Sequence, residues 1–223
     1  DEIMDFANYA FNKAHAVCYA VVSYRTAYLK CHYPREYMAA LLTSVLDVPG
    51  KVSEYIAEAK EMGIRVLPPD VNSSEDGFSV AGEDIRFGLA AIKNVGRSFM
   101  RSLTREREEN GPYQSLMDFC ERLYDKELSR RALESLIQAG AFDSMGIYRS
   151  QLLAVYERVV DAVAAERRKN VEGQLDLFGM GVAEVHDEEI AMPRLPELSK
   201  KELLALEKRS TGLYLSGHPL DVY

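Results

Sequence analysis

Two short stretches limit what this chain can become. LAAIKNVGRSF (89–99) and LIQAGAFDSMG (136–146) each carry an apolar helical segment into a tight, small-residue bend and out into a second helix. Such a bend leaves backbone N–H groups without helical partners, and the helix after it adds the positive end of its dipole. In the first stretch the bend is Lys93-Asn94-Val95-Gly96, and Arg97 opens the next helix. Asparagine tolerates the left-handed conformation a sharp corner needs, so Asn94 suits its place. The result is a cradle for an anion such as a nucleic-acid phosphate, with Lys93 and Arg97 adding charge. The same spacing fits an ordinary helix-turn-helix corner. The second bend, Ala139-Gly140-Ala141, has no lysine. Packing is the better reading there, with this bend holding the first in place.

The rest of the chain reads as mainly helical with a small β element. AVCYAVVSYRTAYLK (16–30) has no breaker and is apolar on most sides, which predicts a buried helix. Helices follow over 33–46, opened by Pro34, and over 49–63, stopped by Gly63. Residues 64–88 change texture: an extended run ends in two prolines, and GFSVAGEDIRFGL pairs Phe78–Ala81 with Ile85–Phe87 across a turn at Gly82–Asp84. Helices resume over 98–109, over 115–123 with Ser115 as N-cap and Asp118 as a weak capping-box partner, over 129–140, over 149–170 and over 199–210. TGLYLSGHPLDVY reads as a strand entering something new, and 171–198 as a linker.

Charge is unevenly spread. The 223 residues carry a formal net charge of −8, yet residues 85–150 hold 11 Lys/Arg against 9 Asp/Glu. The acidic total therefore does not exclude nucleic acid, because binding depends on where the basic groups sit. Three widely spaced cysteines, Cys18, Cys31 and Cys120, show neither a disulfide framework nor zinc spacing, as expected of a reducing cytoplasm. No apolar run nears the roughly 18–20 residues of a membrane span, and the opening DEIMDF lacks the basic start of a signal peptide. A catalytic set is also missing: there is no Ser/His/Asp ordering, no Walker glycine loop and no tight carboxylate pair for a two-metal transferase.

Two further clusters stand out. FNKAHAVCYA (11–20) gathers Asn12, Lys13 and His15 at the start of a helix, where they can face a triphosphate or serve structure alone. VEGQLDLFGMG (171–181) sets Gln174, Leu175, Leu177 and Phe178 between glycines, ahead of an acidic run. Such a segment either packs back onto the preceding helix or binds as a short linear motif, its apolar side chains entering a partner's pocket and its glutamine bonding at the rim.

In order, FNKAHAVCYAVVSYRTAYLKCHYPREYMAALLTS, VLPPDVN, IRFGLAAIKNVG, LESLIQAGAFD, GQLDLFG and TGLYLSGHPL resemble the alpha subunits of bacterial DNA polymerase III over essentially the whole chain. The resemblance implies a piece of a much larger protein. Residues 1–84 would be the C-terminal part of the fingers, 85–170 a tandem helix-hairpin-helix module gripping duplex DNA without reading its sequence, 171–198 a linker with a sliding-clamp motif, and 199–223 the start of an oligonucleotide-binding-fold domain. Asn12, Lys13, His15 and Tyr19 would line the pocket for the incoming dNTP. Lys93, Asn94, Val95, Gly96, Arg97, Ala139 and Gly140 would meet DNA, and Gln174, Leu175, Leu177 and Phe178 the clamp (the beta subunit). The family usually has glycine where this chain has Asn94. The palm and its Mg2+-binding aspartates would lie upstream, so no cofactor is expected in these residues and the piece alone would do no chemistry. Other replisome subunits would be further partners. The rival readings are a non-catalytic repair scaffold with the same hairpin pair, and an error-prone paralogue, against which the intact QLDLF argues.

Overall fold

A computed structural model describes residues 13–173, 190–217 and 219–220. Among them are eight α-helices and one three-stranded sheet. Helices α1 (Lys13–His32), α2 (Pro34–Ser44) and α3 (Pro49–Glu61) come first. Pro34 and Pro49 each sit in a first helical turn, where a missing N–H costs nothing. Gly63, at φ +78, ends the third. Strands β1 (Val66–Leu67), β2 (Ser79–Ala81) and β3 (Asp84–Arg86) follow. The predicted hairpin is β2–β3, turning at Gly82 with φ +64, and β1 adds a parallel partner on the other side of β3. The chain then runs through α4 (Arg97–Asn110), α5 (Leu116–Leu123), α6 (Arg130–Gln138), α7 (Arg149–Gly173) and α8 (Lys200–Thr211).

Helix starts follow their side chains. Ser115 Oγ accepts the Asp118 N–H and Ser129 Oγ the Ala132 N–H, while Ser199 and Glu202 form a full capping box. Asp118 turns one residue earlier than a box requires, accepting the Gln114 N–H. Helices α4 to α7 close around Phe119, whose ring meets Tyr113 at 4.8 Å and Phe142 at 5.0 Å edge-on. The β region is fastened to this core: the Asn72 amide brackets the backbone of Tyr113 at both N–H and C=O, and Val71 N–H donates to Ala141 O.

Two expectations are corrected. The 16–30 helix forms, within α1, but none of its residues is buried; Val17, Tyr19, Val22 and Tyr24 are 56–71% exposed. A helix apolar on most sides needs cover on most sides. Among the described residues it has α2 against part of its length and a Lys30–Glu58 ion pair to α3. The other correction concerns the expected strand from Thr211: Thr211 ends α8, and residues 212–217 form no strand. The buried Glu207 carboxylate accepts the N–H groups of Leu215 and Ser216, and Gly212 takes φ +80, so the backbone is drawn round and Leu213 is buried. Most of the linker expected over 171–198 lies outside the described residues; at its two ends α7 runs to Gly173, and Ile190 packs against the core.

Candidate functional site

The first bend keeps its backbone donors open. A short 3-10 turn, Leu89–Ala91, leads into Lys93, and Asn94 adopts φ +64 as its residue type suggests. Gly96 precedes α4 in extended conformation, and with no side chain to cap it the helix start is bare. Within the helix, bonding begins with Met100 N–H to Gly96 O. The N–H groups of Asn94, Gly96, Arg97, Ser98 and Phe99 donate to no protein acceptor among the described residues. Asn94, Gly96, Arg97 and Ser98 are exposed, while Val95 and Phe99 bury their side chains and hold the bend in place. A row of free amides at a helix start is a place for an anion.

Lys93 is placed differently from the sequence reading. Its N–H donates to Ser210 O at 2.8 Å and its ammonium to Arg209 O at 3.1 Å, both at the C-terminal end of α8. It anchors the bend as much as it charges it. Arg97 is open, with a single ion pair to Asp47 at 3.6 Å between side chains 72% and 88% exposed. Such a pair adds little, typically about 0–1 kcal/mol. Arg101, one turn on, is exposed and makes no ion pair or hydrogen bond among the described residues. Sequence reasoning missed it, although the spacing from Arg97 and the absence of any acid in the first turn of α4 were there to find. Glu127, itself at φ +65, accepts a hydrogen bond from Ser98 Oγ at the same helix start.

The second bend is sealed. Ala139 N–H donates to Ser135 O, Gly140 N–H to Ile137 O and Ala141 N–H to Leu136 O, and all three residues are buried. Gly140 takes φ +82, and a Cβ there would collide with the Arg149 guanidinium. Arg149, itself buried, donates to Asp143 at 2.6 Å, to Gln138 O at 3.3 Å and to the fully buried Glu207 at 3.2 Å. Burial pushes the guanidinium toward neutrality, but the Asp143 and Glu207 carboxylates outweigh it and hold the charge. Ala139 and Gly140 therefore present no donor to a phosphate in this arrangement, which corrects the contact expected of them. Their bend instead supports the first one: Asn94 Nδ2 donates to Ser135 Oγ on α6 at 3.0 Å.

The start of α7 is held by the returning chain. Glu197 accepts the N–H groups of Arg149, Ser150 and Leu198. Burial raises its pKa, but those donors and the Arg149 charge prevail and keep the carboxyl below its usual range.

Lys13, His15 and Tyr19 lie on the first two turns of α1, exposed, with the His15 and Tyr19 rings 4.4 Å apart. Asn12 lies outside the described residues, as do Gln174, Leu175, Leu177 and Phe178. Among the described residues no helix is long and apolar enough to cross a membrane.

A family model for the helix-hairpin-helix motif matches residues 63–152, which takes in the β region, both bends and the start of α7. DNA polymerase III subunit alpha of Saccharopolyspora erythraea is 47% identical over 98% of this chain and 19% of its own length. Its counterpart in Thermus aquaticus is 47% identical over 100% of this chain and 18% of its own length, and that of Deinococcus radiodurans 46% over 99% and 17%. The chain thus spans under a fifth of the length of these relatives. Over nearly its whole length it matches a segment of DNA polymerase III alpha subunits, and within that segment it carries a helix-hairpin-helix motif.

Proposed function

We propose that this chain binds duplex DNA by its sugar-phosphate backbone, as part of a protein that carries out template-directed DNA synthesis. The carrying observation is the set of unpartnered amides at Asn94 and from Gly96 to Phe99 at the start of α4. Amides and a helix dipole recognise phosphate and ignore base identity, which suits a protein that must release and regrip every sequence it copies. Asn94 replaces glycine without loss of geometry, since it already holds the left-handed corner and its side chain turns away to Ser135.

Two finer assignments complete the proposal. Gln174, Leu175, Leu177 and Phe178 dock a ring-shaped sliding clamp, with Leu177 and Phe178 as the apolar anchors. Asn12, Lys13, His15 and Tyr19 contribute to the pocket for the incoming nucleotide. Catalysis itself belongs to aspartates and Mg2+ outside these residues, and this chain alone does not polymerise. The test combines duplex titration with a clamp pull-down. The chain should bind duplexes of unrelated sequence equally, with strong salt dependence. Alanine at Leu177 and Phe178 should abolish clamp capture and leave DNA binding intact. Sequence-selective affinity would overturn the phosphate reading, and clamp capture by the double variant would overturn the motif reading.

A further inference from the structure

The charges of α4 run the wrong way for the helix itself. Its first two turns carry Arg97 and Arg101, with no acid in the first turn, and its last two carry Glu106, Glu108 and Glu109 against Arg105 and Arg107. The dipole favours the reverse order. The one ion pair along its exposed face, Arg105 with Glu109, has the basic residue N-terminal, the weaker orientation. Arg107 in the last turn suits the dipole, but the two arginines at the start do not; an anion lying along the first two turns accounts for them.

On that ground, and resting on the reading of the first bend as a phosphate site, we propose that Arg97 and Arg101 make two consecutive contacts to one DNA strand's backbone. They extend the grip from the bend along α4 and end before its third turn. Residues four apart share a helix face about 6 Å apart along the axis, a spacing open to neighbouring phosphates. Arg101 has no competing partner among the described residues, and Arg97 has only the exposed Asp47. Lys93, the obvious cation by sequence, is turned to the end of α8. The stop is equally physical. Arg105 is committed to Glu109, and the open groove that Arg101 and Arg105 line also holds Glu75, Asp76 and Glu108. Past Arg101 those three carboxylates repel a polyanion. At the other end Glu127, which accepts from Ser98 Oγ, stands where the strand would arrive and is the carboxylate it displaces.

The experiment measures affinity of the full chain for a fluorescent duplex between about 50 and 200 mM salt, for wild type, R97A, R101A, R101K and R105A, with folding checked by circular dichroism. R97A and R101A should each weaken binding and lower the slope of log affinity against log salt by about one, so that the roughly fourfold rise in salt costs about threefold less affinity. R101K should keep the wild-type slope, since a point charge suffices for a phosphate. R105A should leave affinity and slope unchanged. R101A behaving like R105A, or R105A behaving like R101A, would overturn this inference and leave the first bend's role standing. Absence of salt-dependent duplex affinity in the wild type would overturn that role instead.

Discussion

The two bends are built from the same sequence idea and end in opposite states. The first, Lys93–Gly96, leaves the amides of Asn94 and of Gly96 through Phe99 unpaired at the start of a helix. The second, Ala139–Ala141, pairs every one of its amides and lies under a buried arginine. The difference is not in the glycine, which both have. It lies downstream of each bend: after Gly96 the chain enters a 14-residue helix with an open start, whereas after Gly140 it makes a 3-10 turn, Asp143–Met145, that delivers Arg149 back over the bend. One copy of the motif can grip because the other is spent on holding it.

Removing the seal should have the largest effect. Arg149→Met strands the fully buried Glu207 without its cation and should cost about 3–5 kcal/mol in urea unfolding. A loss below about 1 kcal/mol would mean the second bend stands without its lid. Gly140→Ala comes next, at about 2–4 kcal/mol, from the left-handed backbone and the collision with the guanidinium. A near-neutral result would show that the bend has room to open, and would erase the contrast.

Glu197→Gln should cost about 1 kcal/mol at neutral pH, and its signature is in acid. The folded carboxyl titrates below its unfolded value, so its contribution is full above about pH 4.3 and is lost as pH falls through the folded pKa. The variant's stability should therefore fall less steeply than wild type below that point; parallel acid limbs would remove Glu197 from the account. Smallest of all, Asn94→Gly trades a hydrogen bond to Ser135 for relief at φ +64 and should change stability by no more than about 1 kcal/mol. Duplex affinity should hold as well, because the amides and not the side chain make the contact. A marked loss of affinity would place the Asn94 side chain on DNA.

Local chemistry is legible in the sequence and long-range engagement is not. Ser115, Ser129 and Ser199 announce their helices, Gly82 its hairpin, and Asn94 its left-handed corner, because each acts within three or four residues of itself. The parallel pairing of β1 with β3 carries no such signal, since two residues are too few to show an alternation. Apolarity around α1 speaks for the need of cover and is silent on its source, so the expectation of burial meets exposure. Lys93 reads as a free cation until α8, more than a hundred residues later, supplies the carbonyl that takes it. Gly140 reads as a twin of the open bend until Arg149 is seen lying on it.

Helix α8 touches both corners. Its last turn receives Lys93 by backbone and side chain, and one turn earlier Glu207 receives Arg149. A dozen residues thus act as a tie-bar between the gripping corner and the bracing one. Trimming the protein at residue 198, where composition invites a boundary, would leave a guanidinium half-neutralised in the interior and the gripping corner unmoored on one side. By the same geometry, any load applied to the polypeptide beyond Thr211 reaches both corners together, and the strength of the hold becomes sensitive to whatever pulls from that end.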